Sequence, residues 1–131
     1  MEEMNARKIS KGGAEGEALV SEQPISFYGG VNPENGTVIE KGHPLEGKNI
    51  AGKILVFPNG KGSTVGSYTL YRLKKNGTAP AAMVNRETDA IVAVGAIISE
   101  IPMVDKPEHY DKLKTGMRLK VDADAGKIVI L

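Results

Sequence analysis

The fold is decided by residues 53–67, which read KILVFPNGKGSTVGS. The first five residues form an apolar, partly β-branched run between a glycine and a proline, which is typical of a short strand buried on both faces. Beyond the glycine-rich part the spacing becomes helical, because Leu70 and Leu73 share one face of the segment 67–75. The stretch therefore predicts a strand, a turn and a helix in succession.

The turn offers three kinds of group to an anion. Gly60, Gly62 and Gly66 let the backbone come close to a ligand. The start of the helix supplies free N–H groups and the positive end of the helix dipole, and Lys61 supplies an ammonium group. A carboxylate or a phosphate would fit such a turn.

A purely structural interpretation of the same turn is equally open. Ser63, Thr64 or Ser67 can cap the first N–H groups of the helix, and the glycines then serve only to make the bend tight. A nucleotide-binding P-loop fits poorly, because that motif needs a glycine and a hydroxyl residue at the positions that Leu55 and Gly62 occupy. An anion site and a simple cap both remain possible at this point.

The composition limits the classes of function. The 131 residues are 40% hydrophobic and 25% charged and carry a net charge of +1, which predicts one domain over residues 1–131 and speaks against nucleic acid and membrane partners. We expect residues 1–5 to form a loose tail. They lack the apolar core of a secretion signal, so we expect a cytoplasmic location. Because there is no cysteine and the two histidines are isolated, we expect no metal site on this chain.

Most of the remaining chain is predicted to form short strands between turns. The run at 91–98 is a helix or a strand, because its periodicity does not distinguish the two. The overall prediction is a β-rich α/β fold with one or two main helices. The strands are expected at 7–10, 17–20, 24–27, 37–39, 79–84 and 101–104, followed by a hairpin of 117–122 and 127–131.

Two further places carry candidate ligand-binding residues. Gly29 and Gly30 follow an apolar segment, and such a double glycine indicates a turn or a close approach of the backbone to a ligand. His43 is held extended by Pro44, so we expect its side chain to be presented rather than buried, although a structural hydrogen-bonding role is the commoner one for a lone histidine. The candidate substrate-binding set is Gly29, Gly30, His43, Gly60, Lys61, Gly62 and Thr64.

Several blocks of sequence, taken in order, resemble the small, swivelling domain of the aconitase X family. The similarity covers roughly residues 6–131 and implies a swivelling β/β/α fold. The blocks are Gly29-Gly30-Val31, Gly42-His43-Pro44-Leu45, the strand and turn of 52–63, Gly77-Thr78-Ala79-Pro80-Ala81-Ala82, Gly95-Ala96-Ile97 and Ile101-Pro102-Met103-Val104.

The resemblance implies that the chain is the small part of a two-subunit hydro-lyase and is inactive alone. One branch of the family dehydrates (R)-5-phosphomevalonate to trans-anhydromevalonate 5-phosphate in the archaeal mevalonate route to isoprenoids, and a free-standing small chain resembles that branch. The other branch dehydrates cis-3-hydroxy-L-proline. A cysteine-bearing large subunit is expected to hold an iron–sulfur cluster of the 4Fe-4S type, while this chain carries no cofactor. A non-catalytic module that binds an anion or a partner is the third possibility.

The same resemblance implies a catalytic role for one residue. In the wider aconitase superfamily the swivelling domain presents a Gly-x-Gly-Ser-Ser-Arg turn whose first serine is the base, and residues 60–65 occupy that turn here. Ser63 is therefore the expected proton acceptor. The arginine that grips a substrate carboxylate is replaced by Val65, so that role would pass to Lys61, Arg72 or a residue of the large subunit.

Overall fold

The computed structural model describes residues 1–131. Strands dominate the first and last parts of the chain, and the two long helices lie between the central strands. A short 3₁₀ turn, Tyr110–Lys112, precedes the final hairpin. The elements are β1 (Glu2–Asn5), β2 (Arg7–Ser10), β3 (Gly13–Val20), α1 (Phe27–Gly30), β4 (Ile54–Phe57), α2 (Gly66–Lys75), β5 (Ala82–Asn85), α3 (Ala90–Ser99), β6 (Met103–Asp105), β7 (Arg118–Asp122) and β8 (Lys127–Ile130).

The eight strands pair in the order β1-β8-β7-β3-β4-β5-β6-β2. Strand β3 belongs to both halves of this arrangement, because residues 13–17 pair antiparallel with β7 and residues 18–20 pair parallel with β4. On one side, β4, β5 and β6 continue as parallel neighbours and β2 closes the edge antiparallel. On the other side, β7, β8 and β1 are antiparallel throughout.

Two apolar clusters show why β4 is apolar at every position. Leu55 and Phe57 of β4 pack with Leu70 and Leu73 of α2 and with Val92 of α3, on the helix side of the sheet. Because successive side chains of a strand point to opposite faces, the alternate residues of β4 enter the other cluster.

That second cluster lies between the parallel and antiparallel strands. Ile54 and Val56 pack there with Leu119, Val121 and Ile128 of the final hairpin. The layers are therefore helices, parallel strands and antiparallel strands, which is the predicted β/β/α arrangement. All four residues of β4 are buried, as the sequence predicts.

The second long helix settles the ambiguity at residues 91–98. Asp89 accepts hydrogen bonds from the N–H groups of Ile91 and Val92, and so caps α3 in the usual manner of an N-terminal aspartate. Gly95 allows α3 to approach α2 closely, since a Cβ atom there would lie 3.2 Å from Cα of Ser67. No helix of the chain combines the length and the apolar character that crossing a bilayer requires.

Three local predictions are wrong. Residues 1–5 are not a loose tail, because Glu2–Asn5 pair with β8 and Met4 is buried. Residues 24–27 form no strand: only Ile25 makes an isolated bridge, to Gly60, before the chain enters the single distorted turn α1. Residues 37–39 make only isolated bridges. For the first two segments the pairing partner lies far away in sequence, where a local pattern cannot reveal it.

Candidate active site

The glycine-rich turn lies between β4 and α2 and is anchored on two sides. On one side, the N–H of Ile25 donates to the carbonyl of Asn59 at 3.2 Å, and the N–H of Lys61 donates to the carbonyl of Ile25 at 3.1 Å. On the other side, the N–H of Gly60 donates to Oδ1 of Asp89 at 2.7 Å. These bonds hold the turn against the start of α3.

Asp89 links the turn to the second helix, and sequence reasoning missed it. One carboxylate oxygen accepts from Gly60, while the other accepts from Ile91 at 3.1 Å and Val92 at 3.3 Å. The available signal was an aspartate directly before an apolar run, which is typical of a helix N-cap. Its contact with Gly60, 29 residues away, could not be read from that signal.

Glycine is required at two positions of the turn for different reasons. At Gly60 a Cβ atom would overlap Cγ2 of Val92 and lie 2.9 Å from Oδ1 of Asp89, so there is no room for a side chain. Gly62 has φ of +89°, which other residues rarely adopt, and a Cβ atom would lie 2.6 Å from Oγ of Ser26. The predicted close approach of the backbone is thus to neighbouring side chains of the same chain.

Ser63 is exposed at the start of α2. Its Oγ accepts a hydrogen bond from the N–H of Val65 at 3.1 Å, and its carbonyl accepts from Gly66 at 2.9 Å. The hydroxyl hydrogen of Ser63 has no acceptor within the chain, so the hydroxyl is free to exchange a proton with a ligand. The predicted capping role is partly right, because Ser63 satisfies one N–H group just before the helix.

The backbone beside this hydroxyl carries unused donors. The N–H groups of Gly62, Ser63 and Thr64 make no hydrogen bond within the chain. Together with the dipole of α2 they place positive potential around the Ser63 hydroxyl. Ser67, another of the three proposed caps, instead lies inside α2 and donates to the carbonyl of Ile91 at 2.7 Å.

A shallow cleft of about 390 Å³ lies next to the turn. Gly29 and Gly30, which the sequence predicts as ligand-binding residues, line it together with Lys61 and Gly62. Lys61 pairs with Glu40 at 2.8 Å, so its charge is already balanced within the cleft. Ser26, Tyr28 and Glu40 complete the lining.

The expectation that His43 presents its side chain is wrong. The residue is buried, with 5% of its surface exposed. Its Nδ1 accepts from the N–H of Leu45 at 3.0 Å, and Nε2 lies 3.0 Å from the carbonyl of Pro24. Nδ1 acts as an acceptor, so the proton resides on Nε2, which donates to Pro24. Both ring nitrogens thus hold the loop together.

The side chains of this chain proposed to replace the missing arginine are Lys61, which is paired with Glu40, and Arg72, which lies at the other end of α2. Val65 is partly exposed but apolar, and Arg72 is in the last turn of α2. With a rise of about 1.5 Å per residue, Arg72 lies roughly 9 Å along the helix axis from Gly66. No group of three or more His, Asp or Glu side chains is arranged to hold a metal ion.

The strongest perturbation of a pKa lies away from the turn. Burial raises the pKa of Tyr110 to about 12, although the guanidinium of Arg86, 4.6 Å from the ring centre, acts in the opposite sense. Tyr110 and Arg86 line a separate cavity of about 380 Å³. No residue of the candidate active site is involved in this shift.

Comparison with known protein families connects this geometry to a family. The family model described as the aconitase X swivel domain matches residues 3–130. The chain belongs to the aconitase X swivel-domain family. This match confirms the resemblance and extends it by a few residues at the N-terminus.

Curated relatives and solved structures agree with this assignment. The phosphomevalonate dehydratase small subunit of Methanosarcina acetivorans is 57% identical over 98% of this chain and 90% of its own length. The protein of the same name from Thermococcus kodakarensis is 58% identical over 98% of this chain and 96% of its own length.

Two solved structures share the fold of the aconitase X swivel domain. The crystal structure of Thermococcus kodakaraensis aconitase X in its holo-form matches with a TM-score of 0.96 and 56% identity, covering 100% of this chain and 99% of the other. The solution structure of a UPF0107 protein matches with a TM-score of 0.90 and 48% identity, covering 99% of each chain. The predicted swivelling fold is therefore confirmed.

Proposed function

We propose that the chain is the small subunit of a hydro-lyase that dehydrates (R)-5-phosphomevalonate to trans-anhydromevalonate 5-phosphate, and that Ser63 takes the proton. The prediction of a dehydratase small subunit is confirmed by relatives of that name at 57% and 58% identity. The observation that supports Ser63 is its exposed hydroxyl, whose hydrogen has no partner, among three unused N–H groups.

The chemistry needs a base at one carbon and a leaving hydroxyl at the next. Elimination of water from this 3-hydroxy acid removes a proton from C2, beside the carboxylate, and the hydroxyl from C3. Ser63 Oγ accepts the C2 proton after its own proton has passed to solvent; the C2–H electron pair forms the C2–C3 double bond, and the C3 hydroxyl takes up a proton and departs as water. The N–H of Val65 already donates to Oγ, and this hydrogen bond favours the charged form of the hydroxyl.

The chain alone supplies too little stabilisation for a serine base. A helix N-terminus contributes at most about 2 kcal/mol, which corresponds to roughly one and a half pKa units. The ordinary pKa of a serine hydroxyl lies many units above neutrality. Exclusion of water and further donors from a partner have to supply the difference, so we expect the isolated chain to be inactive.

The partner in this proposal is a large subunit that carries cysteines and an iron–sulfur cluster. The present chain has no cysteine, and it has no group of acidic or histidine side chains arranged around a metal position. Its residues therefore do not fit a cluster, and the step assigned to this chain is proton transfer alone.

An assay of three samples tests the proposal: the small chain alone, the chain with its large subunit, and the pair carrying Ser63→Ala. We expect turnover of (R)-5-phosphomevalonate only in the second sample. Appreciable turnover in the first sample would contradict the need for a large subunit, and appreciable turnover in the third would contradict the role of Ser63. A parallel assay with cis-3-hydroxy-L-proline identifies the substrate class. Preferential turnover of that compound would show that it, and not the phosphorylated compound, is the substrate.

A further inference from the structure

Six apolar side chains form an exposed surface on the two long helices, which we call the α2–α3 face. They account for six of the ten large hydrophobic residues exposed on the whole chain, so the concentration is not a random scatter. Their exposed fractions lie between 40% and 68%. The six are Val65, Tyr68 and Tyr71 on α2 and its first cap position, and Val94, Ile97 and Ile98 on α3.

The two helices present these side chains side by side. Residues spaced three or four apart share a helix face, so each helix contributes one stripe. The helices touch at Ser67, whose hydroxyl donates to the carbonyl of Ile91, and at Gly95. The combined apolar area is on the order of several hundred Å², like the largest patch on a typical monomer and approaching the roughly 800 Å² per partner of a standard interface.

The last turn of α2, beside the α2–α3 face, is mainly basic, although the residue that ends α3, Glu100, is an exposed acid. Helix α3 contains no ionisable residue, whereas α2 carries Arg72, Lys74 and Lys75 in its last turn. None of these three cations forms an ion pair within the chain, although nine ion pairs occur elsewhere. The surface is thus complementary to a partner with an apolar centre and an acidic margin near the end of α2.

We propose that the α2–α3 face is the docking surface for the large subunit. This inference rests on the proposed function, which requires a partner that covers Ser63. Val65 lies two residues from Ser63 and belongs to the face, so a protein seated there continues directly onto the glycine-rich turn. The same contact that buries the apolar side chains excludes water from the base.

Binding of the separately produced large subunit to variants of this chain tests the docking surface. Ile97→Glu places a charge in the centre of the face, and we expect the dissociation constant to rise at least about tenfold. Lys74→Glu is expected to slow association and to weaken its dependence on salt. The matched control is Leu131→Glu, which alters a residue of similar exposure at the C-terminus and should bind normally.

The outcomes separate the docking surface from the catalytic proposal. Thermal unfolding of Ile97→Glu alone should match the wild-type chain, because the side chain is half exposed. Unchanged affinity of Ile97→Glu would overturn the docking surface, whatever the activity of Ser63→Ala. A wild-type chain that does not bind the large subunit would overturn the proposed function and this inference together. A third outcome would assign the face to a second copy of the chain. In that outcome the isolated chain self-associates, Ile97→Glu abolishes the self-association, and the affinity for the large subunit is unchanged.

Discussion

The glycine-rich turn and the loop around His43 are both candidates for ligand binding, but they use their hydrogen-bonding groups in opposite ways. In the turn, three consecutive N–H groups and the hydrogen of the Ser63 hydroxyl have no partner within the chain. In the loop, both ring nitrogens of His43 are engaged and the side chain is buried. Polar groups with unused capacity at a solvent-exposed helix start are available for chemistry, whereas satisfied groups maintain the structure.

The largest expected effect separates the two roles open to Ser63. Ser63→Asn keeps an oxygen that can accept from the N–H of Val65 but removes the hydroxyl. We expect turnover by the assembled enzyme to fall about 10²- to 10⁴-fold, the usual contribution of a general base. Steady-state rates with saturating large subunit measure this change.

The control for this prediction is stability rather than activity. Urea unfolding of the isolated Ser63→Asn chain should change little, because the capping acceptor is retained. Full activity of Ser63→Asn would show that Ser63 is only a cap, and the contrast with His43 would disappear.

The next effect should fall on stability. His43→Leu leaves the buried N–H of Leu45 and the carbonyl of Pro24 without their partners. We expect the free energy of unfolding to drop by about 2–3 kcal/mol, since each unsatisfied buried group costs about 1–3 kcal/mol. Urea denaturation measures it. If the variant is stable but its assembled complex has lost its activity, His43 would instead have a role in ligand binding.

Asp89 connects the turn to α3, so its removal should affect both stability and activity. Asp89→Ala removes the acceptor for Gly60 and the cap of α3, and loss of an N-cap typically costs about 0.5–2 kcal/mol. We expect a similar loss of unfolding free energy and a smaller fall in turnover than with Ser63→Asn. The control is Asp111→Ala, an exposed carboxylate whose removal should change neither measurement.

The smallest expected effect concerns an exposed ion pair far from both loops. Lys8 and the N–H of Gly12 hold the pKa of Asp124 below its ordinary value of 3.8. Because the folded-state pKa is the lower one, the pair stabilises the protein above about pH 4 and loses this contribution as the pH falls further. Asp124→Asn should therefore lower the urea midpoint slightly at pH 7 and not at pH 2. An equal shift at both pH values would contradict an electrostatic cause.

The parts of the fold that could be predicted are those encoded in local patterns. The continuous apolar run of β4, the leucine spacing of α2 and the alternation in the final hairpin each carry their own signal. Residues 2–5 became a strand only because β8 offers an edge, and Pro24 and Ile25 joined no strand because the chain turns there. Such outcomes depend on partners that are distant in sequence.

In the candidate site, too, features encoded in the local sequence could be predicted, whereas features that depend on packing could not. The glycine-rich turn was identified from its composition, and the resemblance to the aconitase X family indicated which hydroxyl to consider. Gly29, Gly30 and Lys61, which the sequence analysis grouped as candidate substrate-binding residues, line one cleft. The burial of His43 and the contact between Asp89 and Gly60 were not predictable, because both depend on how separate loops pack.

Isotope exchange tests the role of Ser63 most directly. The assembled enzyme is incubated with (R)-5-phosphomevalonate in D₂O, and deuterium at C2 is followed by mass spectrometry. If Ser63 removes this proton, the wild-type enzyme incorporates deuterium. The rate of incorporation by Ser63→Ala, at the same degree of assembly, is then at least about 100-fold lower. Exchange at the wild-type rate in Ser63→Ala would show that another group is the base.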